Sequence, residues 1–267
     1  LAECVWMLAG SDKVDWLAMF NPRMRDYSDD GERLTGSAYG YRWRNHFGYD
    51  QLLSAIDQLA NDPSTRRVVL SHWDPRNDLG NTSSKDLPCN LQIALRVRDE
   101  AYLDMTVFNR SNDLVYGALG ANSCHFSFLL EFLATQTGYS VGNMYQISNN
   151  LHVYLDNPVY ERIHKAHGEV LRVPSDLSYL QTVPMRGCFN RLSKDAEAMV
   201  QIDDLKDLLK HKFRTSYFNR LVKPVMQSFF LWKLGSKDCR NFGISTDVDW
   251  AFQVQQFLDG TKLFREE

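Results

Sequence analysis

Four stretches of strand length, 67–73, 91–97, 103–109 and 145–154, are rich in β-branched and aromatic residues and fall within one block of the chain. A polar loop, 74–88, separates the first two. A helical pattern at about 122–137, stopped by Gly138, separates the last two. Strands and helices in this order predict an α+β fold built on one large mixed sheet with helices packed around it. Residues 1–20 read as helix broken at Gly10, and 21–40 as loop. Positions 49–61 form an amphipathic helix with Leu52, Leu53, Ile56 and Leu59 on one face, ended by Asp62-Pro63. Further helices are expected at 158–171, 194–212, 217–234 and 246–258. There Trp232, Trp250 and Phe229-Phe230 read as core rather than ligand contacts.

With 267 residues and 44% hydrophobic content, the chain can bury a substantial core. A formal net charge of -3 speaks against a general binder of nucleic acid or of acidic membrane surfaces. An anionic ligand must therefore be met by a few placed arginines. The five cysteines are odd in number and show no CxxC spacing, which argues against a disulfide framework and for a reducing, cytoplasmic compartment. His164, His167 and His211 lack metal-site company, so no metal is expected. No apolar run approaches the roughly 18 residues of a membrane span. The opening segment carries Glu3, no basic leader and no initiator methionine, so it reads as the interior of a domain with further residues upstream.

Several polar residues stand where chemistry is possible. Cys89, in Leu87-Pro88-Cys89-Asn90, enters a strand after the long polar loop. A reactive cysteine needs positive neighbours that favour its thiolate, and Arg66, Arg67 and Arg110 are the candidates. Arg110-Ser111 at a strand end offers a guanidinium fork and a hydroxyl, which together suit a phosphate. His152 and Tyr154 lie two apart on an expected strand and share a face. Each has a plain reading as well: a buried thiol, a solvated turn, a core histidine.

Taken in order and spacing, these residues resemble the thymidylate synthases. The matching stretches are Tyr39-Gly40 with Trp43, Asp62-Pro63 through Arg66-Arg67, Pro88-Cys89, Arg110-Ser111-x-Asp113, Gly117, Asn122 and His152-x-Tyr154. The resemblance covers about 1–157 as a catalytic core and leaves 158–267 as a divergent helical part of the same domain. It implies a thymidylate synthase-like fold whose sheet packs at an obligate homodimer interface, with methylenetetrahydrofolate as cosubstrate. Cys89 would attack the pyrimidine ring of a nucleoside monophosphate. Arg110 and Ser111 would grip the phosphate, joined by Arg66 and Arg67 from the partner subunit. His152 and Tyr154 would hold the sugar. Asp113, near Gly117, would bind the folate, Glu3 would organise water and move protons at the ring, and Tyr39 would line the reacting cleft. Asn122 matches the base-reading position if one extra residue follows Gly117; without that gap Ala121 falls there instead.

The chain also departs from the family. Asn90 stands where a histidine is usual, no tryptophan occurs at 25–28, Asn150 replaces a common aspartate, and no short apolar tail closes the chain. A synthase shields an exocyclic methylene from water and delivers hydride; a hydroxymethylase lets water attack the same carbon. Loss of aromatic cover favours water. The stretches around Arg110 and His152 resemble cytidylate hydroxymethylases, which implies 5-hydroxymethylation of CMP or dCMP. The alternatives are a thymidylate synthase acting on dUMP and a nucleotide-binding paralogue without catalysis.

Overall fold

The computed structural model describes residues 1–165 and 188–240, together with Val254, Gln255 and Leu258. A four-stranded sheet is its centre. β1 (Val68–Ser71), β2 (Asn90–Arg98) and β3 (Tyr102–Asn109) run antiparallel, and β5 (Ser140–Ser148) lies parallel to β3. The parallel pairing follows from the crossover between them, α5 (Asn122–Thr137), which ends at Gly138 in the left-handed conformation with φ 83°. A second, two-stranded sheet pairs β4 (Asn112–Asp113) with β6 (Leu151–His152). The mixed sheet with surrounding helices is the architecture expected from the sequence.

Alternation decides which face of the sheet is covered. Ile93, Leu95, Met105 and Val107 are buried beneath α5 and α4 (Gln51–Asn61). Asp50 caps α4 by accepting from the Leu52 and Leu53 amides, and Leu52, Ala55 and Leu59 turn into the core. On the opposite face Val69, Tyr145 and Ile147 are about half exposed, an uncovered apolar surface on the described residues. Pairing between β3 and β5 slips between Leu103 and Met105, where Gly142 and Asn143 bulge around the buried Asp104. The slip reverses the phase of β5. It brings Gln146 opposite Val107 on the covered face and turns Tyr145 outward.

The opening segment forms α1 (Ala2–Ala9) and α2 (Asp15–Phe20), separated at Gly10, which is left-handed with φ 63°. The expected loop at 21–40 contains a 3-10 turn, Pro22–Tyr27, capped by Asn21, and the one-turn α3 (Tyr39–Tyr41). Beyond the sheet, α6 (Pro158–Lys165) falls where a helix over 158–171 is expected, and 166–171 lie outside the described residues. The stretch read as one helix over 194–212 is two, α7 (Phe189–Met199) and α8 (Leu205–Lys210). Asp204 accepts from the Asp207 amide and starts the second helix afresh. The 217–234 helix is a π turn, Phe218–Val222, running into α9 (Lys223–Lys233), with Pro224 unable to supply an amide near the junction. The 246–258 helix, Trp250 included, falls outside the described residues except for Val254, Gln255 and Leu258.

One hydrophobic cluster runs from α1 through the sheet to α9. It includes Phe189, Leu192, Ala196 and Met199 of α7, which packs on α1. No helix among the described residues is long and apolar enough to cross a membrane.

Candidate active site

At one end of the covered sheet face the apolar residues give way to Asn90, Asn109, Gln146 and Ser148. Cys89 stands at this end, exposed, as the last residue before β2. Its carbonyl accepts from the Arg110 amide at 2.9 Å. The Arg110 guanidinium is clamped to the same loop, Nε donating to Pro88 O at 3.0 Å and Nη2 to Leu87 O at 3.3 Å. The fork is thus held against the two residues before Cys89 by main-chain oxygens that carry no opposing charge. Ser111, half-buried, follows directly. Behind Cys89, the Asn90 amide donates to Asn109 Oδ1, while Asn90 Oδ1 is buried without a hydrogen-bond partner.

Buried carboxylates, Asp78 and Asp86, pin the loop that carries Cys89. Arg42 and Asp78 form a buried bidentate pair, at 2.6 and 2.8 Å, and Arg42 also donates to His72 O and Thr35 O. Asp86 accepts from the Gly36 and Ser37 amides at 2.7 and 2.8 Å. A side chain at Gly36 would collide with the Asp86 carbonyl, so glycine is required there.

Across from the loop, α1 and α3 bring Glu3 and Tyr39 into the site. Gly40 makes this possible, since a Cβ there would overlap the Met7 carbonyl of α1. Burial pushes the Tyr39 phenol well above its usual range, and the nearby Cys89 adds to the rise against a hydrogen bond from the Asn90 backbone. Glu3 Oε2 lies 3.1 Å from His125 Nε2 on α5. Burial works to raise the Glu3 pKa, but the His125 hydrogen bond and charge outweigh it and hold the carboxyl below its ordinary value. Burial lifts the neighbouring Cys4 thiol to about 11.

Asp113 begins a π turn, Leu114–Ala121, by accepting from the Tyr116 amide. Its other oxygen, Oδ2, is buried and unpartnered. An orphaned acceptor of this kind fits a ligand N–H such as a pterin ring carries. The β4–β6 register sets Asp113 opposite His152, so the expected folate and sugar contacts adjoin. Gly120 takes non-helical φ/ψ inside the π turn, a form of turn that can absorb one inserted residue. Asn122, at the start of α5, then points its amide at Asn112, whereas Ala121 offers no polar atom.

Two expectations change. His152 and Tyr154 do not share a strand: β5 stops at Ser148 because β3 ends at Asn109, and the chain re-pairs with β4 only through Leu151–His152. Tyr154 lies beyond it and is exposed, yet the two rings still meet edge to face at 5.2 Å. Of the three arginines considered for Cys89, this chain brings only Arg110 to it. Arg66 and Arg67 precede Val68, which pairs with Leu95, five residues along β2 and about 17 Å of strand from Asn90. Both are exposed and border a surface depression with Asp57, Asn61 and Asp62.

Four residues near or behind the site carry no motif: His125, Asn112, Gln146 and His72. His125 had a signal, three positions after Asn122 on the same helix and so on the same face. His72 is fully buried among Tyr39, Trp43 and Phe126, and burial followed by the Arg42 charge pushes it down to about 3. Among the described residues, no group of three or more His, Cys, Asp or Glu side chains is arranged to hold a metal.

The fold is thymidylate synthase-like. The structure of thymidylate synthase from phage T4 matches with a TM-score of 0.52 at 26% identity, over 63% of this chain and 62% of that one. The chain belongs to the thymidylate synthase family, whose description matches residues 1–207. That family comprises folate-dependent enzymes that modify a pyrimidine at its 5-position, with methylenetetrahydrofolate as cosubstrate. The chain is 39% identical over 266 residues to a deoxyuridylate hydroxymethyltransferase of Pseudomonas phage M6, covering 93% of this chain and 71% of that protein. A protein of the same description from Bacillus phage SP01 is 41% identical over 181 residues. That alignment takes in 63% of this chain and about half, 47%, of the SP01 protein.

Proposed function

We propose that this chain hydroxymethylates the 5-position of a pyrimidine deoxynucleoside monophosphate, dUMP before dCMP, through a covalent adduct with Cys89. The observation that carries the reading is the exposed Cys89 directly after the Leu87 and Pro88 carbonyls that fix the Arg110 fork. Arg110 and Ser111 take the phosphate, which sets the ring over the sulfur. The sulfur adds to ring carbon 6, its electron pair displacing the ring double bond onto carbon 5, and the same bond breaks in the last step to return the thiolate. The folate, held by Asp113 alongside Gly117, supplies a one-carbon unit at the oxidation level of formaldehyde: carbon 5 bonds to it and yields its own proton to water ordered by Glu3, and the carbon–nitrogen bond to the folate breaks, its electron pair leaving with the nitrogen. Glu3, with His125 behind it, orders the attacking water and takes its proton, while Tyr39 closes the wall beside Cys89. His152 and Tyr154 hold the sugar, and Asn122 reads the base.

Water, unlike hydride, leaves the oxidation level unchanged, so tetrahydrofolate is released unoxidised. Two departures support water: Asn90 with its unpartnered Oδ1 and no tryptophan at 25–28. Uracil takes precedence because both phage relatives are described as acting on deoxyuridylate. The CMP or dCMP reading rests on the pattern around Arg110 and His152 and is the alternative.

The uncovered sheet face with Val69, Tyr145 and Ile147 supports a homodimer. Arg66 and Arg67, remote from their own Cys89, then serve the partner's phosphate. We take 1–157 and 158–267 as one domain, since α7 shares the core of α1.

The test is incubation with methylenetetrahydrofolate and, separately, dUMP, dCMP, UMP and CMP, with products weighed by mass spectrometry. A hydroxymethyl gain on dUMP is expected. A methyl gain with dihydrofolate formed makes the chain a thymidylate synthase in activity, and no product on any nucleotide removes the catalytic reading.

A further inference from the structure

The side chains behind Asn122 form a directed chain. The Ala118 carbonyl, which can only accept, takes a hydrogen bond from Gln146 Nε2 at 3.1 Å. Ser123 Oγ donates to the same carbonyl and lies 3.2 Å from Gln146 Nε2. With the nitrogen of Gln146 committed, its Oε1 faces Asn112 Nδ2 at 3.3 Å, and Ser148 Oγ takes the other Asn112 donor at 3.1 Å. Asn112 Oδ1 is thereby left to accept, and Asn122 Nδ2 donates to it at 3.0 Å. Asn112 is buried, and a side chain at Gly117 would strike its Oδ1, so glycine there keeps the link open. Asn122 Oδ1 takes part in no hydrogen bond among the described residues.

An amide is nearly symmetric in shape, and its orientation is normally free to follow the ligand. Here it is not. Turning Asn122 over would set its oxygen against Asn112 Oδ1, and turning all three amides would set Gln146 Oε1 against a main-chain oxygen. The locked arrangement presents one acceptor and one spare N–H of Asn122. Uracil carries a donor at N3 and an acceptor at O4, which match. Cytosine carries an acceptor at N3 and a donor at N4, which do not.

We propose that Asn112 and Gln146, neither of which touches the nucleotide, are positioning residues that make this site select uracil over cytosine. The inference rests on the reading above in which Asn122 faces the base.

The test is calorimetric binding of dUMP and dCMP, without folate, to the wild-type chain and to Asn112→Leu, Gln146→Met and Asn112→Asp. The wild type is expected to bind dUMP roughly tenfold or more tighter than dCMP, the scale of one misread base edge. Asn112→Leu and Gln146→Met free the Asn122 amide to turn, and the ratio falls to within about threefold. Asn112→Asp still offers only acceptors to Asn122 Nδ2 and keeps the dUMP preference. Gln146, half-buried on an edge strand, carries the test if Asn112→Leu does not fold. A uniform weakening of both nucleotides at constant ratio overturns the proposal, as does a wild type that prefers dCMP. A wild type that binds neither nucleotide removes the functional reading itself.

Discussion

Glu3 Oε2 and His125 Nε2 lie 3.1 Å apart, joining the first helix of the chain to the crossover helix beside Cys89. Burial alone would raise the Glu3 pKa, and His125 reverses that. Replacing His125 with Ala removes the two strongest influences that oppose burial, so Glu3 takes up its proton at higher pH. The acid limb of kcat/KM is therefore expected to move toward neutral pH, as a rate profile would report. An unmoved limb would mean that Glu3 does not govern it.

Cys89→Ala removes the nucleophile without altering Arg110 or its carbonyl clamp. Turnover is expected to fall by roughly 10⁴-fold or more, while dUMP still binds by calorimetry. A variant with appreciable turnover would falsify the covalent route.

Arg66 and Arg67 lie a strand's length from Cys89 in the same chain. If they serve the partner's site, an Arg66→Ala, Arg67→Ala chain and a Cys89→Ala chain should each be inactive alone. Mixed after mild unfolding and refolding, they should regain roughly a quarter of wild-type activity, because half of random dimers carry one intact site of two. Failure to regain any activity places both functions in one subunit.

His72 is neutral in the fold, with its pKa pushed from 6.5 down to about 3 by burial and Arg42. Below pH 6.5 the unfolded chain takes up a proton that the folded one refuses. Stability should therefore fall by about 1.4 kcal/mol per pH unit on descending toward pH 3 from this group alone. His72→Phe fits among the same rings and should flatten that slope in urea titrations between these limits.

Asp78→Ala strands the Arg42 guanidinium in the core, where its fork retains only two carbonyls. A loss of about 3–5 kcal/mol is expected in chemical denaturation. A loss under about 1 kcal/mol would show the pair to be hydrated.

Much of this was legible in the sequence, and the remainder was hidden for physical reasons. Ile93 and Leu95 announce a half-covered strand by alternation, and Gly138 announces the end of α5. Cys89 and Arg110 stand in motifs whose spacing survives folding intact. Gln146 was invisible because alternation is counted from the strand itself, and the bulge at Gly142 reverses the phase. Counting straight through would have turned Tyr145 inward. His125 sits on a helix rich in Phe and Leu, where a lone histidine reads as core. The distance of Arg66 from Cys89 depends on β1 running antiparallel to β2, which no local spacing records.

The loop before Cys89 is fastened at Asp78 to Arg42 and at Asp86 to the Gly36 and Ser37 amides. Residues between those fastenings can be lengthened or rewritten without shifting the thiol, since the second fastening resets the path. Sequence drift and insertions across related chains should therefore gather at 79–83 and fall silent from Asp86 onward, much as a hem may be let out between two fixed seams.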